Sequence, residues 1–246
     1  MVNKTILITG ASGKLGLALL KYGFPDRHVL TPTHREMDIT DYESVKRYFE
    51  TNLIDEVIHC AAMTNMVECE KNPQQAMAVN LVGTANLVKE ALKKPATRFM
   101  YLSTDYVYPG KSGPYSESDP VNPFNKYAWT KLAGECAVKL LSNHCIVRTS
   151  FFDPENILFD TAPDDSFNSK LPIDELAHDI LWLLRDTFVG TINVGQERAS
   201  AYEILKKHKP TITKVTLEEM SKGLIMKRAV DSSLDVSLWK KIRGIN

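Results

Sequence analysis

The sequence predicts an α/β fold in which helices cover both faces of a doubly wound parallel sheet. Two observations indicate this fold. Short, almost wholly apolar runs alternate with longer helical stretches, and a glycine cluster directly follows the first apolar run. Such alternation is typical of βαβ units, whose parallel strands are buried on both faces.

The first 150 residues hold most of the predicted elements, and each strand is a short run of apolar, often β-branched residues. Strands are predicted at Thr5–Thr9, His28–Thr31, Glu56–Cys60, Arg98–Ser103 and Cys145–Thr149. The helical stretches between and after them have ordinary globular lengths. Helices are predicted at Lys14–Lys21, Tyr42–Thr51, Pro73–Lys93 and Lys126–Leu141.

The pattern changes after Ser150. Phe151–Leu171 is rich in Asp, Pro, Asn and Ser and is predicted to be a loop. A helix at Ile173–Arg185, a strand at Thr191–Val194 and a helix at Ala201–His208 follow. We therefore expect residues 1–150 to form a nucleotide-binding domain. Residues 151–246 should supply a small lobe and closing elements over the carboxyl ends of the strands.

Composition excludes several classes of function. The net charge is zero, which gives no electrostatic reason to expect nucleic acid or an anionic membrane as a partner. No apolar run reaches the roughly 18 residues of a membrane span, and the chain begins almost directly with a strand, so no signal peptide is expected. The four cysteines are scattered along the chain: Cys60, Cys69, Cys136 and Cys145. We therefore expect neither a metal site nor a disulfide framework, and we expect a cytoplasmic location.

The glycine cluster indicates a dinucleotide site. The run from Thr5 to Gly16 predicts a strand, a tight turn and a helix. Gly10 and Gly13 allow the backbone to turn and to approach a phosphate, and Gly16 allows close packing of helix on strand. The amides and the positive dipole end of the helix would then face a pyrophosphate.

Tyr127 and Lys131 lie four residues apart in a predicted helix, so their side chains should share one face. A free tyrosine has a pKa of about 10. An ammonium roughly 4 Å away, at an effective dielectric near 20, would lower that pKa by about three units. The spacing therefore predicts a phenol that exchanges protons near neutral pH.

Further blocks place this pair in a known pattern, because the run Ser103–Tyr108 follows the fourth predicted strand. With it, the chain resembles the extended short-chain dehydrogenase/reductase superfamily, and within that superfamily the dTDP-4-dehydrorhamnose reductase family. The matching blocks come in order: Gly10–Gly16, Asp38–Asp41, His59–Ala62, Val79–Asn80, Ser103–Tyr108, Pro114–Tyr115, Glu117, Pro123, Asn125, Tyr127, Lys131, Gly134–Glu135 and Arg148–Ser150.

The resemblance implies a Rossmann fold and a role for each matching residue. Thr104 would hydrogen-bond the substrate carbonyl oxygen, Tyr127 would donate a proton to it, and Lys131 would also bind the nicotinamide ribose. The implied cofactor contacts are Gly10, Ser12, Gly13, Lys14, Leu15, Gly16, His34, Arg35, Asp38, Ile39, Ala61, Ala62, Thr64, Tyr127 and Lys131. The implied substrate contacts are Thr104, Asp105, Tyr106, Val67 and Phe151.

Two departures separate the chain from other branches of the superfamily. Related dehydratases carry Asp and Glu in succession after the threonine, but Tyr106 follows Asp105 here, which argues against dehydration. Epimerases usually carry an acid after the second strand. Here that strand runs into Thr31–Arg35, and Arg35 could face a ribose 2′-phosphate or be a solvated loop charge. NADP is therefore the expected cofactor, with NAD as the alternative.

Other departures concern the substrate. Val67 stands where the family usually has Asp, and Phe151 where it usually has Trp. The stretch Phe152–Pro172 is shorter than the resemblance leads one to expect. A smaller carbonyl compound, or a lid from another subunit, therefore stays open beside a nucleotide-sugar.

The leading interpretation is NAD(P)H-dependent reduction of the 4-keto group of a nucleotide-linked deoxysugar, in dTDP-rhamnose or other polysaccharide biosynthesis. One alternative is a sugar-nucleotide epimerase with bound NAD. Another is a non-catalytic, NADP-binding regulatory subunit resembling the methionine adenosyltransferase beta subunit. The complete set Thr104, Tyr127 and Lys131 argues against that last alternative. A homodimer is compatible with the sequence.

Overall fold

A computed structural model describes residues 4–245 of the chain. Its strands are β1 (Lys4–Thr9), β2 (Arg27–Leu30), β3 (Glu56–His59), β4 (Arg98–Leu102), β5 (His144–Thr149), β6 (Phe151–Phe152), β7 (Thr161–Pro163), β8 (Phe167–Asn168), β9 (Leu171–Pro172), β10 (Gly190–Val194), β11 (Ala199–Ser200) and β12 (Thr213–Val215). Six of them form one parallel sheet in the order β10-β5-β4-β3-β1-β2. The predicted fold class is confirmed.

The helices cover both faces of this sheet. They are α1 (Lys14–Tyr22), α2 (Tyr42–Thr51), α3 (Met66–Lys71), α4 (Pro73–Met77), α5 (Thr84–Ala91), α6 (Lys126–Val138), α7 (Ile173–Arg185), α8 (Ala201–Lys206), α9 (Leu217–Ser221) and α10 (Ser237–Arg243). One apolar core lies between the sheet and α1, α7 and α10, and a second lies between the sheet and α2, α5 and α6. Alternate residues of β1 and β4 enter opposite cores, as strand geometry requires.

The predicted helix Pro73–Lys93 is wrong as a single regular helix. A π-helical turn, Ala78–Gly83, separates α4 from α5. Its Asn80 side chain is buried, where it accepts from the Met63 amide at 2.8 Å and donates to the Met63 carbonyl and to Thr130. A wide turn fixed by such distant hydrogen bonds has no local sequence signal.

The prediction of a loop at Phe151–Leu171 is also wrong in part, since β6, β7, β8 and the first residue of β9 lie there. Each has only two or three residues and pairs with a partner outside its own hairpin: β6 with β9, β7 with β12 and β8 with β11. Periods of two cannot be read from such short runs. These strands form the lobe that lies beside the carboxyl end of the sheet.

Strand order places a crevice at that end. The chain passes from β1 to β2 on one side and then returns to β3 on the other side of β1. Ligands of open α/β sheets bind at such a switch point, outside the carboxyl ends of the strands. Across residues 4–245, no helix is both long and apolar enough to cross a membrane.

Candidate functional site

The glycine turn after β1 forms one wall of the crevice. Gly10 has φ +68°, and a Cβ there would lie 2.6 Å from the amide nitrogen of Ala61. A Cβ on Gly16 would lie 2.5 Å from the Gly10 carbonyl oxygen. Both positions therefore require glycine. Gly13 begins α1 without a side-chain cap, and the first turn of α1 has no acidic residue. Its free amides and dipole suit an anion.

A cavity of about 410 Å³ extends from this turn across the carboxyl ends of the strands. Its size is that of a ligand pocket. It brings together thirteen of the residues that the resemblance implied: Gly10, Gly13, Lys14, Leu15, Gly16, Ala62, Thr64, Thr104, Asp105, Tyr106, Tyr127, Lys131 and Phe151. We call this cavity the cleft.

The other implied residues lie outside the cleft lining. Ser12 is exposed on the glycine turn, Ala61 lies beneath Gly10, and Val67 lies half-buried in α3. His34 and Arg35 are exposed in the loop after β2.

Asp38 and Ile39 also have structural partners. The Asp38 carboxylate accepts from the amide and hydroxyl of Thr40, at 2.9 and 2.8 Å, so it forms a turn. Asp41, not Asp38, caps α2. Ile39 packs against Gly83 of the π-helical turn. These contacts do not direct either side chain into the cleft.

Tyr127 and Lys131 both reach the cleft, as their spacing predicts. The side chain of Asn125 accepts from the Ala128 amide at 2.8 Å and so starts α6 directly before them. Tyr127 is half-buried and Lys131 is 3% exposed. One face of α6 therefore carries a phenol and an ammonium to the carboxyl ends of β3 and β4.

The expected lowering of the Tyr127 pKa is wrong in direction. Burial raises the pKa of Tyr127 above its usual value, the Asp105 charge raises it further, and a hydrogen bond with Thr104 opposes them. Burial also lowers the pKa of Lys131 to about 7. Desolvation outweighs the attraction on which the sequence argument rested. A protonated phenol at neutral pH is the form that donates a proton.

Thr104 and Asp105 form the floor of the cleft directly after β4, and both are buried. The Thr104 hydroxyl donates to the Asp105 carboxylate at 3.1 Å, and the Ser232 hydroxyl donates to its other oxygen at 2.7 Å. Burial raises the pKa of Asp105 to about 6, and both hydrogen bonds lower it. The carboxylate thus orients the Thr104 hydroxyl.

A buried hydrogen-bond chain fixes the strand ends behind the cleft. His59 contacts the hydroxyl of Thr9 through Nδ1 at 2.7 Å and that of Thr84 through Nε2 at 2.9 Å. Since Thr84 donates its own proton to the Asn80 carbonyl, His59 must donate from Nε2 and accept at Nδ1. Burial lowers the pKa of His59 to about 3, so this neutral tautomer persists at neutral pH.

The hydrogen-bond donors that line the cleft are also suited to a dinucleotide. The hydroxyl of Thr149, at the end of β5, is buried, lines the cleft and has no hydrogen-bond partner among residues 4–245. A buried polar group without a partner is costly unless a ligand satisfies it. Together with the free amides of α1 and the side chain of Lys131, it gives the cleft lining several hydrogen-bond donors.

Sequence reasoning missed seven lining residues: Cys60, Met66, Leu102, Ser103, Thr149, Ser150 and Lys170. Most of them follow predicted strand ends, where the rule for parallel sheets could have found them. Lys170 lies between the short strands β8 and β9 and has no such signal. Arg228 and Ser232 line a smaller adjoining cavity with Lys170. They come to the site from the end of the chain.

Comparisons with known proteins agree with this geometry. The chain is 41% identical over 136 residues to dTDP-4-dehydrorhamnose reductase of Mycolicibacterium smegmatis. This match covers 54% of this chain and 41% of that protein. It is 39% identical over 140 residues to methionine adenosyltransferase 2 subunit beta of Xenopus tropicalis, covering 54% and 42%. The chain thus spans about half the length, or less, of the curated relatives it matches.

A solved structure extends the likeness beyond the matched sequence. The structure of dTDP-4-dehydrorhamnose reductase from Bacillus anthracis in complex with NADP superposes with a TM-score of 0.89 at 26% identity. The match covers 100% of this chain and 94% of that one. The family described as RmlD substrate binding domain matches residues 4–156, which is more than half of the chain. The protein belongs to the RmlD substrate binding domain family.

Proposed function

We propose that this protein is an NADPH-dependent oxidoreductase that reduces the 4-keto group of a nucleotide-linked deoxysugar, with NADH as the alternative reductant. The observation that carries the proposal is the convergence of Thr104, Tyr127 and Lys131 in one cleft that begins at the glycine turn. The names of the M. smegmatis and B. anthracis relatives support the substrate class and the cofactor.

The cleft residues suggest how the reaction proceeds. A bound nicotinamide would supply hydride to the carbonyl carbon. With a ketone bound, the Thr104 hydroxyl would turn its one proton from Asp105 to the carbonyl oxygen as a hydrogen bond. Tyr127, protonated at neutral pH, gives its proton to that oxygen as negative charge develops there. Hydride and proton together convert the ketone into an alcohol.

Lys131 and the glycine turn would hold the cofactor. The Lys131 ammonium would contact the ribose side of the nicotinamide, and the α1 amides and Lys14 would receive the pyrophosphate. The positive charge of Lys131 would also stabilise the negative charge that Tyr127 carries after it loses its proton. Residues 1–150 would then bind the cofactor, and the lobe in residues 151–246 would hold the sugar nucleotide against Thr104.

The test is turnover of dTDP-4-keto-6-deoxy sugars and other keto sugar nucleotides, with NADPH and NADH in parallel. Tyr127→Phe should lower kcat at least a hundredfold, the usual range for losing a general acid. Tyr48→Phe is the matched control, since Tyr48 is a half-buried tyrosine of α2 outside the cleft lining. Equal rates for Tyr127→Phe and the wild type would remove Tyr127 from the mechanism.

A second candidate function is a non-catalytic NADP-binding subunit, which the likeness to methionine adenosyltransferase 2 subunit beta favours. Tight binding of NADP without turnover of any keto sugar nucleotide would support it. An epimerase, the third alternative, would be purified with NAD bound and would need no added reductant. The homodimer expected as an option from the sequence stays a prediction.

A further inference from the structure

Tyr101 is a buried residue of β4 that makes two contacts with Lys131. Its ring centroid lies 4.1 Å from the Lys131 ammonium, and its hydroxyl donates to the Lys131 backbone carbonyl at 3.1 Å. The side chain is 0% exposed. One phenol therefore supports both the charged end and the backbone of the same lysine.

The position of Tyr101 is set from both sides. Strand register pairs Thr9 with His59 and His59 with Tyr101, so the three side chains form a row on the face covered by α5 and α6. The His59 and Tyr101 rings have centroids 5.6 Å apart. On the helix side the hydroxyl lies against Gly134, where a Cβ would overlap it. The ring is thus held between the neutral imidazole of His59 and the turn of α6 at Gly134, which has no side chain.

The ammonium has few other partners. Within residues 4–245, the Lys131 ammonium makes no hydrogen bond and no ion pair to a protein group. The titratable groups whose charges act on it are Cys60, directly after β3, and Glu135 of α6. His59 and Tyr127 also lie close, and Glu135 is already bonded to Arg148 and Ser103. The face of the Tyr101 ring is an electron-rich surface 4.1 Å from the ammonium, measured to the ring centroid.

We propose that Tyr101 is a positioning residue for Lys131: its ring holds the ammonium at the cleft through a cation–π contact, and its hydroxyl fixes that turn of α6. This inference rests on the proposed function in so far as Lys131 contacts the cofactor. A buried cation on a ring face is stabilised more than an exposed one. Removing the ring should therefore favour the neutral amine.

The experiment compares three variants. Tyr101→Phe keeps the ring and loses the hydroxyl, whereas Tyr101→Leu loses both. Phe99→Leu is the matched control, because Phe99 is fully buried in the same core two residues earlier on β4. Protein labelled with ¹³C-lysine is titrated by NMR without added cofactor, and the Lys131 signal is assigned by its loss in Lys131→Met.

The wild type, Tyr101→Phe and Phe99→Leu should titrate near pH 7, and Tyr101→Leu about one pH unit lower. The basic limb of kcat should move with it, and NADPH should bind less tightly at pH 7.5. If Tyr101→Leu titrates with the wild type, the proposal is overturned. Gly134→Ala displaces the Tyr101 phenol without deleting it and should also lower the midpoint of the Lys131 titration. If Tyr101→Leu does not fold, an unchanged midpoint in Gly134→Ala overturns the proposal.

The two proposals fail separately. A wild type that turns over no keto sugar nucleotide removes the proposed reductase function, while the NMR midpoint still decides whether Tyr101 holds the Lys131 charge. Conversely, an active wild type with an unchanged midpoint in Tyr101→Leu removes only the role of Tyr101.

Discussion

Arg148 and Glu135 form a buried two-point ion pair, with Nε 3.0 Å from Oε1 and Nη2 2.7 Å from Oε2. The pair joins β5 to α6, one turn beyond Lys131. The Ser103 hydroxyl donates to the same carboxylate at 2.5 Å. Because Ser103 precedes Thr104, this one carboxylate links the end of β4 and α6, which carry the proposed catalytic residues, to β5.

Breaking this pair should destabilise the protein strongly. Glu135→Gln leaves the Arg148 charge buried without its counter-charge, which costs about 3–5 kcal/mol of unfolding free energy. Urea unfolding measures the change. Glu43→Gln, which removes an exposed pair with Lys46, is the control and should cost less than about 1 kcal/mol. Similar losses for both variants would show that burial of the pair is unimportant.

Lys131 should reduce stability at neutral pH. Burial lowers its pKa from 10.5 to about 7, so between these values the unfolded chain binds more protons than the native protein. Its contribution therefore makes the free energy of unfolding rise with pH, by up to about 1.4 kcal/mol per pH unit. Lys131→Met should remove that rise and be more stable than the wild type near pH 7.

Urea unfolding of both proteins from pH 6.5 to 9.5 tests this sign. The stability advantage of Lys131→Met should shrink as pH increases, since the wild-type lysine loses its buried charge. Lys126→Met, which removes an exposed lysine in the first turn of α6, is the control for deleting a lysine from the same helix. A constant advantage of Lys131→Met would mean that Lys131 titrates normally in the native protein.

Ser232 should set the titration of Asp105. Its hydroxyl donates to the Asp105 carboxylate at 2.7 Å and lowers a pKa that burial has raised to about 6. Ser232→Ala should therefore raise the midpoint further, by about one pH unit for a lost hydrogen bond to a charged group. The acid limb of kcat/KM and the carboxyl ¹³C titration should both move upward.

Ser233→Ala provides the control, because the Ser233 hydroxyl bonds Asp231 at 2.6 Å instead. It changes the same short segment without touching Asp105. If both variants move the acid limb equally, the effect comes from loosening of the segment, and Ser232 has no specific influence on the carboxylate.

The sequence predicted the parts of the site that depend on local pattern. The glycine turn requires positive φ and close approach at Gly10 and Gly16, and the pair on α6 requires only helical spacing. Both were found in the cleft. Each of the six predicted strands formed with ends shifted by one residue or less. Local propensity and hydrophobic period suffice for these features.

Other parts depend on contacts between distant segments, and the sequence could not predict them. Ser232 reaches Asp105 across 127 positions of the chain. Lys170 lies between strands too short to show a period. The direction of the Tyr127 pKa shift was missed for a related reason: the electrostatic argument used the distance to a charge but not the burial, which appears only in the folded protein.

Arg35 should determine the preference for NADPH over NADH. It is exposed in the loop after β2, the side of the sheet where a ribose 2′-phosphate would lie. The nearby Glu36 carboxylate is turned back to Thr33, whose amide and hydroxyl donate to it at 2.7 and 2.9 Å, so it is held away from the phosphate. Arg35→Ala should raise the KM for NADPH about tenfold or more, since a charge-assisted hydrogen bond is lost, and leave the KM for NADH unchanged. Lys46→Ala, an exposed cation on α2, should change neither value. Equal effects of Arg35→Ala on both cofactors would show that Arg35 is a solvated loop charge.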